Sequence, residues 1–212
     1  MAAPAKLNLD LILDEAIALL QEDGLDDITL RKLATRLDVE APSLYRHVAG
    51  KQQLLALMAV RLFHDQIEAI GDCASWQQWL SQFGRTLWAT QHRIGDVARL
   101  VLTTEFDPDQ LIAMTEWPRD ILARHGIDAP TALEMQIAVQ SMVLGLSGLA
   151  GAASGGSLQK LVPFDAILEQ ALASLVTGWE TRLNAARADR GRRPKAEPAA
   201  VKEHPPTERL IP

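Results

Sequence analysis

The chain has 212 residues, 48% of them apolar and 23% charged, a balance suited to one large or two small globular domains. Its formal charge of -6 excludes recruitment of nucleic acid by net charge, so any such role must rest on local charge. The single cysteine, Cys73, excludes an internal disulfide and every multi-cysteine zinc pattern, and is expected to be a small buried hydrophobe.

At the N-terminus, "MAAPAKLNLDLIL" lacks a basic segment joined to a long apolar run. No later window is expected to supply a membrane span, which needs roughly 18 uncharged residues, so a cytoplasmic protein without a membrane partner is expected. Leu9, Ile12, Leu13, Ala16, Ile17, Leu19 and Leu20 then recur at helical spacing, with Asn8 as N-cap and Gly24 as left-handed C-terminal cap. Thr29 predicts the N-cap of a short second helix carrying Leu30, Leu33, Ala34 and Leu37 and ended by Asp38. Pro42 fits the first turn of a shorter third helix, with Leu44 and Val48 one turn apart on its inner face and Gly50 closing it. From Lys51 a longer helix carries Leu54, Leu55, Met58, Leu62 and Ile67 towards Gly71.

The rest shows helical period and little strand alternation. Ser75 and Gln78 stand at capping-box spacing, Asp107-Pro108 reads as an N-cap followed by Pro, and Gly126 ends the helix they start. Pro130 opens a helix apolar nearly all round. After a loop marked by Gly155, Gly156 and Ser157 comes a helix with Ile167, Leu168, Ala171, Leu172, Leu175, Val176, Trp179 and Leu183 on one broad face. Beyond about 186, Pro and charge dominate without periodicity, and Arg187, Arg190, Arg192, Arg193 and Lys195 fall in a predicted disordered tail, 187–212. The expectation is an all-α fold of about nine helices. The chain is expected to divide into three shorter helices over residues 1–50, one longer helix over 51–70 and a larger helical part over 71–186.

Two short helices joined by "LDVEAP" have the length and connection of a helix-turn-helix, whose second helix enters the major groove. Between Arg31 and Lys51 five Lys/Arg oppose only Asp38 and Glu40, whereas seven carboxylates crowd residues 10–27. That separation predicts a basic face on an acidic body. Arg31 and Lys32 start the first short helix, where they reach a phosphate strand. Ala41, Pro42, Ser43, Tyr45, Arg46 and His47 lie on or beside the second, and Arg46 has the fork geometry for guanine, a contact worth roughly 1 to 3 kcal/mol of discrimination.

"TLRKLATRLDVEAPSLYRHVAGKQQLL" resembles the DNA-binding signature of the TetR family of bacterial repressors, densely over residues 9–63. "SWQQWL", "QHR-IGDVARL" and "LARHGI" resemble the ligand-binding domain of the tetracycline-repressor subgroup. The resemblance implies an all-helical homodimer joined through the last two long helices, reading double-stranded operator DNA and responding to a small-molecule effector. Carried over by position, Thr29 and Lys51 contact phosphates, Ala41, Pro42, Ser43 and Arg46 face bases, and Tyr45 and His47 hold the backbone. Where the family often has Gly, this chain has Asp38, which tolerates the left-handed conformation better than most residues.

For the effector the resemblance points to Phe83, Leu87, Arg99 and Thr103. Gln140 and Leu144 join them because an uncharged polar group on an apolar helix can orient a ligand. The tetracycline repressors hold a drug-metal chelate through a histidine. The aligned position here is Arg99, which suits an anionic or carbonyl-bearing molecule instead. No cofactor or metal site is expected, since His64, His92 and His125 are not i, i+4 pairs and no cysteine joins them. Gly145, Gly148 and Gly151 are expected to let another backbone approach closely, across a dimer or else around a ligand. No nucleophilic constellation accompanies Ser141, Ser147 or Ser154, so an enzyme is not expected. The competing expectation is a small-molecule enzyme or carrier with a vestigial helix-turn-helix.

Overall fold

The computed structural model describes residues 7–192, which form ten helices and no strand. Asn8 caps α1 (Leu9–Asp23) by accepting from the Leu11 N–H at 2.8 Å. Gly24 ends it at φ 83, although its ψ of 175 differs from the left-handed helical value expected there. Thr29 caps α2 (Leu30–Arg36), and α3 spans only Ala41–Leu44. Between them Asp38 takes φ 53. Its N–H donates to Thr35 O and that of Val39 to Ala34 O, the paired bonds of a Schellman stop that leaves the chain turned for α3. Leu33, Ala34, Leu44 and Val48 are buried as their spacing predicted.

The larger part comprises α4 (Lys51–Ile70), α5 (Trp76–Arg93), α6 (Val97–Thr103), α7 (Pro108–Arg124), α8 (Ala129–Gly151), α9 (Gly155–Leu161) and α10 (Phe164–Arg192). In it α5 packs on α4 and α8, and α7 on the same two. Residues 155–157 open α9 rather than forming a loop. Gly155 is required there, because a Cβ would stand 2.1 Å from Ala150 O. Gly84 has the same kind of role in α5, where a Cβ would meet Leu172 Cδ2 at 2.4 Å and Val139 Cγ1 at 3.2 Å.

Pro118 sits inside α7 and lacks the N–H that would bond Met114 O. Gln136 of α8, 3% exposed, supplies the missing donor through Nε2 at 2.9 Å, so a break in one helix becomes a tie to the next. Cys73 is only half-buried, in the loop between α4 and α5; burial still pushes its thiol up.

Two expectations need correction. Helix α8 is long and apolar enough to cross a membrane by length and composition, because residues 135–159 carry no Asp, Glu, Lys or Arg. Met135, Val139 and Val143 of that helix are fully buried, and a core helix passes the same test. Helical backbone also continues past 186 to Arg192; the remainder of the expected tail lies outside the described residues. By compactness residues 1–177 form one unit and 178–212 another. Within the second, the Arg182 guanidinium lies 4.7 Å from the centroid of the Trp179 ring.

Candidate DNA interface and effector cavity

The turn at Asp38 presents α3 with Leu44 and Val48 inward, which leaves Pro42, Tyr45 and Arg46 exposed and Ala41, Ser43 and His47 half-buried beside them. Tyr45 is 57% exposed, an unusual position for an aromatic ring without a partner. At the base of this surface Lys51 begins α4, and the Gln53 side chain accepts from the Ala49 N–H to hold the entry. Thr29 spends an oxygen lone pair on the Lys32 N–H at 3.2 Å, which leaves its hydroxyl proton for an acceptor outside the protein.

The basic cluster divides in two. Lys32 bonds Asp23 at 2.8 Å and lies 3.6 Å from Asp27, while Arg36 bridges Glu22 and Glu15. Hydrogen bonding to Arg36 holds the Glu22 carboxyl below its usual range, and bonding to Asp23 raises Lys32. Arg31, Arg46 and Lys51 have no ion-pair partner among the described residues. These three supply the free positive charge of the outer face, while the acidic residues of α1 and the following loop neutralise the back.

A second site lies deeper, between α4, α5, α6, α7 and α8. This cavity is lined by Ala59, Leu62, Phe63, Gln66, Leu87, Gln91, Val97, Val101, Met114, Gln140 and Leu144. It is partly open, with a volume of about 30 Å3, enough for a few water molecules. Gln66 is 6% exposed, and Gln91 Oε1 is buried without a hydrogen-bond partner, a state costing about 1 to 3 kcal/mol. An apolar groove running along α8 shares Val101, Met114, Gln140 and Leu144 with the cavity.

The two sites are not packed separately. Ile94, Val97 and Leu100 belong to the same hydrophobic core as α1, α2 and α3. Asp96, held at φ 62 before α6, accepts the Leu25 N–H at 2.9 Å. Arg99 pairs with Asp26 and stands 3.5 Å from Asp96. The loop after α1 is thereby fastened to the helix that walls the cavity.

Residues 12–58 match the model of bacterial regulatory proteins of the tetR family. That segment is of the tetR family. The chain is 38% identical over 110 residues to the tetracycline repressor protein class D of Escherichia coli, a match covering 50% of each. It thus spans about half the length of the curated relatives it matches. It also resembles a TetR variant from Acinetobacter baumannii AYE solved with minocycline, at 27% identity and TM-score 0.65 over 83% of this chain and 98% of the other. TetR (class A) in complex with 5a,6-anhydrotetracycline and magnesium aligns at 25% identity and TM-score 0.61, over 82% of this chain and 99% of that one.

Against the tetR-family expectations, Leu87, Gln140 and Leu144 line the cavity and Phe83, Arg99 and Thr103 do not. Phe83 is fully buried, stacked 5.1 Å from Trp79 and edge-on to Phe63, so it supports a wall instead of forming one. Arg99 is turned to the carboxylates of Asp26 and Asp96, and Thr103 donates its hydroxyl to Arg99 O. Gln66 and Gln91 line the cavity as well; each is a glutamine on an apolar helix face, the same signal that singles out Gln140. His64, Asp65 and Glu68 bring ligand atoms within 4.8 Å of one another on α4, but both carboxylates are exposed and none of the three lines the cavity.

Proposed function

We propose that the chain is a ligand-responsive DNA-binding transcriptional regulator, a repressor released from a pseudo-palindromic operator by a small-molecule effector. The observation that carries this is the end of α3, where Tyr45 and Arg46 stand exposed, together with Arg31 and Lys51, exposed cations without an ion-pair partner among the described residues. Thr29, Arg31, Lys32 and Lys51 serve the phosphates, Ala41, Pro42, Ser43 and Arg46 the bases, and Tyr45 and His47 the register. Lys32 acts there after exchanging its carboxylate partners for phosphate.

A second copy completes the reading unit through α8 and α10, spacing two recognition elements one helical turn, or a multiple, apart. Support comes from α8, where exposed Leu133, Ile137, Gly145 and Leu149 follow one another along a single stripe. Among the described residues, a Cβ at Gly145, Gly148 or Gly151 would meet nothing within 4 Å. Residues 1–50 are the DNA-binding domain, 51–70 the linking helix and 71–186 the effector and dimerisation domain. A regulator of this kind works where the operator is, in the cytoplasm.

The effector enters the cavity lined by Leu87, Gln140 and Leu144, a reading supported by the small-molecule complexes of the structural relatives. It must open the cavity to bind, and opening displaces α6 from the α1–α2 loop. A coupling of about 1 to 3 kcal/mol would lower operator affinity roughly 5- to 150-fold.

Selecting bound duplexes from a random pool and titrating salt tests the DNA half. Lys51→Ala should lower affinity equally for all sequences and reduce the salt slope by about one unit, whereas Arg46→Ala should relax preference at one base position. Equal losses of slope and discrimination in both variants would overturn the division of roles. Absence of any selective, salt-sensitive duplex binding would favour a carrier with a vestigial helix-turn-helix.

A further inference from the structure

We infer that the effector is an uncharged, largely apolar molecule whose carbonyl, amide or hydroxyl groups pair with the side-chain amides of Gln66, Gln91 and Gln140. This deepens, and rests on, the regulator reading above. No titratable side chain lines the cavity; apart from the three glutamines every lining residue is apolar. A charged ligand group would lose its hydration against Leu62, Phe63 and Val97 and find no counter-ion to replace it.

Glutamine suits the opposite case. Its amide offers two N–H donors and a carbonyl acceptor, so it pairs with polar ligand groups of either sense without introducing charge. Gln91 Oε1, buried and unpartnered, calls for a ligand N–H or O–H. Gln66, nine-tenths buried, and Gln140 supply further donors and acceptors around it.

The donor set also argues against a metal chelate as the species bound, since no imidazole, thiolate or carboxylate faces the cavity to complete a metal's coordination. Arg99, the side chain that would favour an anion, is engaged by Asp26 and Asp96. The groove along α8 adjoins the cavity and shares Met114 and Leu144 with it. Methionine is unbranched and yields readily, so a volume of about 30 Å3 can widen around an incoming apolar ring system.

The test compares three probes of one shape and different charge on the full chain by calorimetry: naphthamide, naphthoate and naphthylmethylammonium. Naphthamide should bind, and the two ions should bind roughly a hundredfold more weakly or worse. Gln91→Met, which keeps the side-chain volume, should weaken naphthamide binding about tenfold; Gln140→Met, at a less buried position, gives the same reading if the first variant folds poorly. The inference is overturned if either ion matches naphthamide, if naphthamide fails to bind at millimolar concentration, or if both glutamine variants bind it unchanged. Operator release is measured separately. Naphthamide binding that leaves operator affinity unchanged supports the cavity chemistry and overturns the effector role, and loss of selective duplex binding overturns the regulator reading alone.

Discussion

Asp38 carries the geometry of the whole reading head on one backbone angle. Its φ of 53 lies where a Cβ is penalised, and the two N–H bonds of the Schellman stop hold it there. Aspartate bears that conformation better than most side chains and a β-branched one worst. Asp38→Val should therefore cost about 1 to 2 kcal/mol, read as a lower urea midpoint at unchanged slope, while Asp38→Gly should cost nothing. A midpoint for Asp38→Val equal to the parent's would show that the turn does not depend on this residue. Lys32 and Arg36 make the same point about charge: both sit in the basic cluster by sequence, yet each faces carboxylates from α1 and its following loop.

Among the helices, α5 is fixed to α10 at three levels of one face. Gly84 admits Leu172, Trp88 Nε1 donates to Asp165 at 2.7 Å, and Arg85 forms two hydrogen bonds with Glu169 at 2.7 and 2.6 Å. Hydrogen bonding to Arg85 holds the Glu169 carboxyl below its ordinary range, against the opposing effect of burial. The folded chain therefore binds that proton less tightly than the unfolded chain. The resulting stability is fully present above the unfolded value of about 4.3 and is lost as pH falls through the folded one. Both side chains are more than two-fifths exposed, so solvent screening limits Glu169→Gln to less than about 1 kcal/mol at pH near 7. That difference should shrink as pH falls below the unfolded value and disappear once the folded carboxyl is protonated; a deficit that persists in strong acid would mean the side chain acts by packing. Pro118 and Gln136 show a different economy, in which a donor missing from α7 is replaced from α8 beside the cavity.

Over the whole of residues 7–177, the DNA-facing helices and the cavity wall share a core through Ile94, Val97 and Leu100. Asp96 and Arg99 add polar fastenings from the α6 end to Leu25 and Asp26. A ligand that moves α6 must therefore change the position of α1, and with it the reading head, because packed interfaces shift between discrete arrangements and do not deform smoothly. On that basis Arg99→Ala should leave naphthamide affinity within about twofold, since Arg99 does not touch the cavity. It should also shrink the ratio of operator affinities measured without and with ligand from the roughly 5- to 150-fold range towards one. An unchanged ratio would place the coupling in the apolar contacts alone.

The sequence by itself determined most of the helices, several of their caps and the inward faces of α1 to α4, because these are local: 3.6-residue period, cap chemistry and the turn at Asp38 act within a few positions. It also carried the family signature over residues 12–58. Only the tertiary structure decided which side chains meet at distance. It turned Arg99 away from the cavity, sank Phe83 behind its wall, brought Gln66 and Gln91 to its surface, and tied down Lys32 and Arg36. The physical reason is that a side chain's helical face follows from spacing, whereas its partner depends on which helix packs there. The chemistry of the proposed effector follows from those partners.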